Sequence, residues 1–338
     1  MKKVIIPIVF AFVIAVPLIM FFENTDLTPD LASEQGRRVD DLLRVLYILS
    51  SVVFGGVFAF LMYSVVAFRR QPGDLTDAEP IHGNTKLEIA WTLVPLVVVL
   101  SLATAGASAV LDIYDSSKDQ DMVINVTGFQ WAWSFEYPEA GIRTGEMVLP
   151  VGRAVLFNIR SQDVIHSFFI PEFRVKMDAI PGIINELRIT PTREGAYRTY
   201  CAELCGTSHA YMISDVRVVD EASFEAWVQD QQALVQALQG QAAVGRQYYE
   251  EKGCLGCHST DGSAKTGPTF RGLFGSERTF SDGSTGVADE AYVRNSILAP
   301  SDLLVDGFDN LMPPNYEDQL DDEQIEAIIE FIKGLSEL

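Results

Sequence analysis

The chain of 338 residues has few basic side chains and few cysteines and histidines. Its 25 Lys and Arg residues are outnumbered by 46 Asp and Glu residues, which gives a formal net charge of −21. Such a surface cannot neutralise phosphates, so a general nucleic-acid binder is excluded. A disordered chain is excluded as well, because 48% of the residues are hydrophobic and 10% are aromatic. With only four Cys and four His, the thiols and imidazoles can support only a small number of sites.

Three long apolar runs stand out against this acidic composition, at residues 4–22, 45–68 and 89–111. About 20 apolar residues cross the hydrocarbon core of a membrane, so the second and third runs predict transmembrane helices. The first run follows two lysines and is either a signal peptide or an extra transmembrane helix. Arg69, Arg70 and Lys86 fall between the second and third runs, which places that loop inside. Everything after residue 111 is then on the outer, periplasmic side of a bacterial cell membrane.

The outer region changes character along its length. Residues 122–219 contain short β-branched and aromatic segments separated by Pro and Gly, which predicts a β-sandwich or barrel of about a hundred residues. The predicted strands cover 122–126, 131–137, 155–159, 186–189, 196–200 and 216–219. Residues 224–243 are rich in Ala and Gln and predict a helical linker. From residue 245 onward the pattern is helical at both ends, over 245–252 and 321–335, with Gly- and Pro-rich loops between.

One loop of the β region combines sulfur and imidazole groups. Cys201, Cys205, His209 and Met212 follow a predicted strand, and His166 lies further upstream. Two disulfides are the default for four thiols outside the cell, but each cysteine pair here is accompanied by a histidine. Soft sulfur ligands with imidazole suit copper or zinc, and a methionine favours copper. A structural zinc held by two Cys and two His is the alternative, and it would not need Met212.

This loop resembles the copper-A loop of cytochrome c oxidase subunit II. The stretches 163–167, 176–182, 130–133 and 87–92 match the same family. The resemblance implies a cupredoxin-like Greek-key β-barrel with a dinuclear copper-A centre. It also implies the ligands: bridging thiolates from Cys201 and Cys205, one ring nitrogen each from His166 and His209, and weak contacts from Met212 and the Glu203 carbonyl.

Three further roles are implied by the same resemblance. The Glu203 carboxylate resembles a ligand to magnesium at the boundary with subunit I, with Lys176 and Asp178 nearby. Trp131 resembles the exposed aromatic residue through which electrons enter, with packing in the barrel as the alternative. Glu88 resembles the carboxylate at the mouth of a proton pathway, with an interfacial charge that marks the start of a helix as the alternative.

The second cysteine pair lies in the sequence Cys254-Leu-Gly-Cys257-His258, the attachment pattern of a covalent c-type haem. Pro268 lies in a loop that resembles the cytochrome c loop whose proline carbonyl accepts the second ring N–H of the haem histidine. Met312 precedes the last helix, where this family places the sixth iron ligand, and a His/Met pair raises the iron potential. Thioredoxin chemistry would need a βαβ setting, and none is predicted.

The sequence therefore predicts a membrane-anchored multidomain protein that ends in an all-α class I cytochrome c domain. We expect a signal peptide or extra helix at 1–22, a two-helix transmembrane hairpin at 42–113, the copper-A domain at 120–220, the linker at 221–242 and the cytochrome c domain at 243–338. The expected cofactors are two copper ions, one haem c and a magnesium ion at the subunit I interface.

The resemblance implies the electron-input subunit of a caa3-type oxidase. Electrons would pass from an external donor through haem c and copper A to subunit I, which reduces oxygen to water and pumps protons. Subunit I, subunit III, the donor and the lipid bilayer are the expected partners. This chain has no histidines left for the oxygen-reducing site, so that site is assigned to subunit I. The alternatives are the input subunit of a copper-A nitric oxide reductase and a membrane-anchored copper chaperone, which the fused haem motif disfavours.

Overall fold

A computed structural model describes residues 2–73, 76–77, 80–114, 121–263, 265–314 and 316–337. The chain divides into two compact units. The first contains residues 1–31 and 35–115, and the second contains residues 32–34 and 116–338. The predicted membrane segments belong to the first unit, and both groups of candidate ligands belong to the second.

The first unit contains three long helices, α1 (Lys2–Asn24), α2 (Glu34–Ala67) and α3 (Thr85–Ile113). Each is long and apolar enough to cross a membrane. Most of their large apolar side chains are exposed, as expected for helices whose apolar surface faces lipid rather than a protein core.

The first apolar run is a helix that packs closely on α2. A Cβ atom on Gly55 would lie 2.9 Å from the carbonyl oxygen of Ala11 and 3.1 Å from the Cβ atom of Ala15. Nearer the other end of α1, the rings of Phe22 and Tyr47 stack with centroids 5.0 Å apart. Small residues that let two backbones approach are typical of helix pairs in membranes. The first apolar run therefore forms a helix in contact with α2 in this structure, and its identity as a signal peptide or an extra transmembrane helix stays a prediction.

The second unit begins with two five-stranded sheets that enclose an apolar core. One sheet has the order β3-β2-β1-β5-β8 and the other the order β4-β10-β9-β6-β7. Strands β1 and β5 pair in parallel, as do β4 and β10, and the remaining pairs are antiparallel. The strands are β1 (Met122–Phe129), β2 (Ala132–Tyr137), β3 (Ile142–Thr144), β4 (Met147–Pro150), β5 (Val155–Ser161), β6 (His166–Phe169), β7 (Lys176–Ala179), β8 (Asn185–Ile189), β9 (Gly195–Cys201) and β10 (Ile213–Val219).

Aromatic residues from both sheets form the centre of this barrel. The ring of Phe168 lies 5.7 Å from Trp133, 6.4 Å from Phe135 and 5.5 Å from Phe157, measured between centroids. All four side chains are buried. The six strands expected from the sequence are present, and the cupredoxin-like fold class is confirmed. Strands β3, β4, β6 and β7 were not predicted.

The predicted helical linker is largely occupied by helix α4 (Glu221–Ala237), which packs on the barrel. Asp220 caps it by accepting a hydrogen bond from the backbone N–H of Ser223 at 3.0 Å, which stabilises the first turn. Phe224 and Trp227 are buried, and the Trp227 ring lies 5.1 Å from that of Tyr137. The first two turns of this helix therefore belong to the core of the β domain.

The remaining residues form a helical domain with one short hairpin. Its helices are α5 (Gln241–Glu251), α6 (Cys254–Cys257), α7 (Glu290–Leu298) and α8 (Asp322–Glu337), and its hairpin pairs β11 (Glu277–Thr279) with β12 (Thr285–Val287). Helices α5 and α8 cross so closely that a Cβ atom on Gly245 would lie 1.8 Å from the Ala327 carbonyl oxygen. The predicted apolar face of α8 is buried, through Ile325, Ile328, Ile329 and Ile332.

Candidate metal and haem sites

The thiols of Cys201 and Cys205 lie at the centre of a compact set of donor atoms. Cys201 ends β9 and Cys205 lies in the loop that follows, and their Sγ atoms are 3.7 Å apart without a disulfide. Cys201 Sγ lies 3.8 Å from His166 Nδ1. Cys205 Sγ lies 3.4 Å from His209 Nδ1 and 3.8 Å from Met212 Sδ. The sequence places these five residues up to 46 positions apart, and the fold brings them together.

The spacing and number of these donors fit a metal centre. Ligands that lie about 2.0–2.3 Å from one ion are roughly 3.3–3.8 Å from each other at tetrahedral angles. The carbonyl oxygen of Glu203 adds a further donor 3.1 Å from Cys201 Sγ. Two thiols, two imidazoles, a thioether and a carbonyl exceed what one four-coordinate zinc ion takes. The sulfur-rich set suits copper.

The side chain of Asp163 orients His166. Its Oδ1 atom lies 2.8 Å from His166 Nε2, so Nδ1 faces the thiol of Cys201. The same carboxylate accepts hydrogen bonds from the backbone N–H groups of Gln130 at 2.7 Å and Val164 at 2.6 Å. A carboxylate on the second ring nitrogen is the usual support of a metal-binding histidine. Asp163 stood in a matched sequence stretch, but its role was not predicted; its position three residues before His166 was the available signal.

The pKa values of the two thiols in this cluster are shifted in opposite directions. Burial alone would lower the pKa of His166, but hydrogen bonds with Asp163 and Cys201 raise it to about 9. Burial raises the pKa of the Cys201 thiol, but hydrogen bonds with His166, with the backbone at Glu203 and Ser167 and with Cys205 together outweigh burial and lower it to about 6. Burial and the adjacent Cys201 thiolate raise the pKa of Cys205 to about 12. Metal binding must therefore displace a proton from Cys205.

Trp131 lies directly against the copper-ligand loop. Its indole N–H donates to the carbonyl oxygen of Cys205 at 3.3 Å, and the Gln130 side-chain amide donates to the same oxygen at 2.6 Å. Trp131 is half-buried, whereas Trp133 fills the barrel core. Trp131 is thus partly exposed and contacts the copper-ligand loop, and its role in electron entry stays a prediction.

Glu203 and Glu88 have different surroundings. The Glu203 side chain is exposed, and among the described residues it belongs to no cluster of three potential metal ligands. Glu88 lies in the first turn of α3, where its Oε1 accepts a hydrogen bond from the Asn84 backbone N–H at 3.0 Å. Asn84 in turn accepts from the Leu87 N–H at 3.2 Å, so Glu88 takes part in capping the helix.

The second candidate site is built around His258. Its Nδ1 lies 2.7 Å from the Pro268 carbonyl oxygen, as the sequence predicted. Its ring stacks on Phe270 with centroids 4.5 Å apart. A Cβ atom on Gly267 would lie 2.7 Å from His258 Cε1, so only glycine fits there. Burial lowers the pKa of His258 to about 4. The ring is therefore neutral, with Nε2 available as an iron ligand.

A cleft of about 1170 Å³, partly open to solvent, lies beside this histidine. Cys254, Cys257 and His258 line it together with Pro268, and so does Met312, the predicted sixth ligand. The rest of the lining is mostly apolar, with residues from α7 and α8. A large apolar cleft with two thiols and a neutral imidazole at its wall fits a covalently attached haem.

Three family models match this chain. Residues 142–219 match the periplasmic domain of cytochrome c oxidase subunit II, and residues 23–107 match the transmembrane domain of the same subunit. Residues 242–336 match cytochrome c. Together these regions cover α2, most of α3 and both candidate sites.

Individual proteins show the same similarity. Cytochrome c oxidase subunit 2 of Alkalihalophilus pseudofirmus is 34% identical over 317 residues, which cover 90% of each chain. The subunit 2 of Bacillus subtilis is 31% identical over 327 residues, again 90% of each chain. The periplasmic domain of cytochrome oxidase subunit II from Bradyrhizobium japonicum has a solved structure that is 35% identical, with a TM-score of 0.33. That match covers 34% of this chain and 96% of that one.

Proposed function

This chain belongs to the cytochrome c oxidase subunit II family, with a C-terminal cytochrome c domain, and we propose that it is the electron-input subunit of a caa3-type oxidase. The observation that carries the proposal is the donor set around Cys201 and Cys205, in the same compact unit as the cleft at His258. One centre would accept electrons from an external donor, and the other would deliver them to subunit I.

The chain's own residues would hold both groups. Cys201 and Cys205 would bridge two copper ions, with His166 and His209 on either side and Met212 and the Glu203 carbonyl as weaker ligands. Sharing two thiolates lets the copper pair take up and release one electron with little change in geometry. The buried set of donors favours this, because ligands already in place need not be reorganised.

The haem site is also assigned to residues of this chain. Cys254 and Cys257 would form the thioether links, and His258 and Met312 would be the axial ligands. Pro268 fixes the histidine tautomer by accepting the Nδ1 hydrogen. The mostly apolar lining would reduce contact between the haem and water, which together with a His/Met pair would favour the high potential that an oxidase donor needs.

The wider assignments belong to the same proposal. The outer unit would face the periplasm, with α2 and α3 next to subunits I and III in the bilayer. The Glu203 carboxylate would contribute to a magnesium site shared with subunit I. Glu88 would lie at the mouth of a proton pathway into subunit I. Trp131 is the candidate for electron exchange at the copper loop.

The test uses the full-length protein in detergent, produced with haem-attachment machinery and loaded with copper. We expect two copper ions and one haem per chain, with a mixed-valence copper spectrum beside a low-spin c-type spectrum. Cys205→Ser should remove the copper spectrum and leave the haem, and Cys257→Ser should disturb haem attachment and leave the copper. A single zinc or copper ion per chain would overturn the copper-A assignment. Oxygen and nitric oxide consumption by the assembled complex would distinguish an oxidase from a nitric oxide reductase.

A further inference from the structure

The short helix that carries the haem-attachment motif lies against the β-barrel. Helix α6 contacts strand β2 within the second unit. A Cβ atom added to Gly256, between the two cysteines, would lie 2.0 Å from the Ala132 Cβ atom and 3.9 Å from the Trp133 backbone nitrogen. No side chain fits between Gly256 and β2 while the two elements keep this distance.

Two more glycines lie in the contact between the haem-attachment segment and the barrel, one on each domain. A Cβ atom on Gly253, which has φ +80°, would lie 2.2 Å from the Phe129 ring. On the barrel side, a Cβ atom on Gly145 would lie 2.0 Å from the Leu255 carbonyl oxygen. That oxygen accepts a hydrogen bond from Lys265 Nζ at 3.0 Å. Glycines from both domains therefore allow the two backbones to approach closely.

Charge and the connecting helix reinforce this contact. Burial lowers the pKa of Lys265, while the barrel residues Glu146 and Asp215 act in the opposite direction by attracting its positive charge. Helix α4 packs on the barrel through Trp227 near its start, and its Leu234 packs against the core of the cytochrome domain. The connection between the domains is thus part of both cores.

The two residues that precede Ala132 contact the copper-ligand loop. Ala132, which meets Gly256, directly follows Trp131 and Gln130, and both of these side chains donate to the Cys205 carbonyl oxygen. Three consecutive residues therefore separate the haem-attachment helix from a proposed copper ligand.

We propose that α6 and the start of β2 form a fixed docking interface, set by the fit of Gly256 against Ala132. This interface holds the haem domain in one arrangement, with residues 130–132 between the two sites. Trp131 is then a residue of the internal route rather than the receiving point for an external donor. With both groups bound, residues 130–132 would lie on the path of the single electron that passes from the reduced haem to the copper pair, with no bond or proton exchanged. This inference rests on the proposed function for its redox part only.

The test is a compensating pair of substitutions in the full-length holoprotein. Gly256→Ala adds a methyl group where there is no room, and Ala132→Gly removes the Cβ atom that it meets. With Ala132→Gly, the nearest remaining atom is the Cα atom of residue 132, at 3.3 Å. Hydrogen exchange is followed in peptides that cover residues 129–133 and 253–258. Reduction of copper by the haem is timed after a light-triggered electron pulse.

We expect Gly256→Ala to make both peptides exchange about tenfold faster, the size expected from overpacking a close contact by one methyl group. Copper reduction should slow while both absorption spectra stay unchanged. The double variant should restore both readouts to the level of Ala132→Gly alone. Two results would overturn the proposal: hydrogen exchange in Gly256→Ala at the wild-type rate, or faster exchange and slower copper reduction that persist when Ala132→Gly is added to Gly256→Ala. Absence of the copper spectrum from the wild-type protein would contradict the proposed function instead, and the exchange data would still test the interface.

Discussion

Replacement of Asp163 by Asn tests whether His166 is a supported metal ligand. The Asp163 carboxylate contacts His166 Nε2 at 2.8 Å and accepts backbone N–H bonds from Gln130 and Val164 at 2.7 and 2.6 Å. Asn has the same shape but no charge. The variant therefore retains the size of the side chain and removes the charge that raises the pKa of His166 and strengthens its bond to a metal. Its single amide oxygen can replace the Oδ1 contacts with His166 and Val164, and the hydrogen bond from the Gln130 N–H to Oδ2 is lost.

The expected loss can be worked from these contacts. Hydrogen bonds to a charged group contribute about 1.5–3 kcal/mol and neutral ones about 0.5–1.5 kcal/mol. The His166 contact should thus weaken by about 1–1.5 kcal/mol. Removing the outer partner of a metal-binding histidine typically lowers metal affinity about 10–100-fold, which is about 1.4–2.7 kcal/mol. The two ranges overlap, and we expect copper to bind about tenfold more weakly.

The assay is competition for copper against a chelator of known affinity, with the haem absorbance as the internal measure of folded protein. Asp220→Asn is the matched control, because Asp220 also accepts a backbone N–H but does so at the start of α4. Asn caps helices about as well as Asp, so this variant should bind copper normally. Copper affinity in Asp163→Asn within twofold of wild type would refute the reasoning, since about 0.4 kcal/mol is less than the loss of one charged contact.

Three other changes have specific outcomes. Met312→Ala should leave the haem attached but lower its midpoint potential in a redox titration, and an unchanged potential would mean that Met312 is not an axial ligand. Tyr137→Phe should lower stability by about 1–3 kcal/mol, because the buried hydroxyl accepts from the Val148 N–H at 2.8 Å and donates to its carbonyl at 2.9 Å. The half-buried Tyr197, changed to Phe, is the control, and equal denaturation midpoints in the two variants would contradict this account. Glu88→Gln should slow turnover of the assembled oxidase without altering either metal spectrum, and normal turnover would argue for helix capping alone.

The candidate sites could be predicted from the sequence because their chemistry is local. Cys201, Cys205, His209 and Met212 lie within twelve residues, and few functions other than metal binding require that combination. The same holds for Cys254, Cys257 and His258. His166 and Met312 lie further away in the sequence, and their assignment as ligands relied on the resemblance to known families.

Elements that depend on distant partners were not predictable in this way. Strands β3, β4, β6 and β7 have three or four residues each, too few to show an alternating pattern. Two of them pair with strands that are distant in sequence, β4 with β10 and β6 with β9. The other two are edge strands, and β3 pairs with β2 while β7 pairs with β6. For such short segments, pairing and burial outweigh the intrinsic preference of the residues.

The role of single residues in the interface between the domains was not predictable from the sequence either. In the sequence Cys254-Leu-Gly-Cys257, a glycine in the attachment motif gives no sign that its missing side chain matters. In the structure, Gly256 leaves room for Ala132, more than a hundred positions earlier in the chain. A glycine is informative only once the atoms around it are known.

Helix α4 explains why docking through so small an interface is sufficient. A flexible tether would leave the haem domain free to sample many positions, and docking would have to overcome that entropy. Instead, α4 spans about 25 Å as a helix of 17 residues. Phe224 and Trp227 fix its start next to Tyr137, at the end of β2, and Leu234 joins the cytochrome core. Strand β2 is therefore contacted at one end by the connecting helix and at the other by α6. Helix α4 already restricts the position of the haem domain, so most of the conformational entropy is lost through α4. The contact between Gly256 and Ala132 then selects the final position.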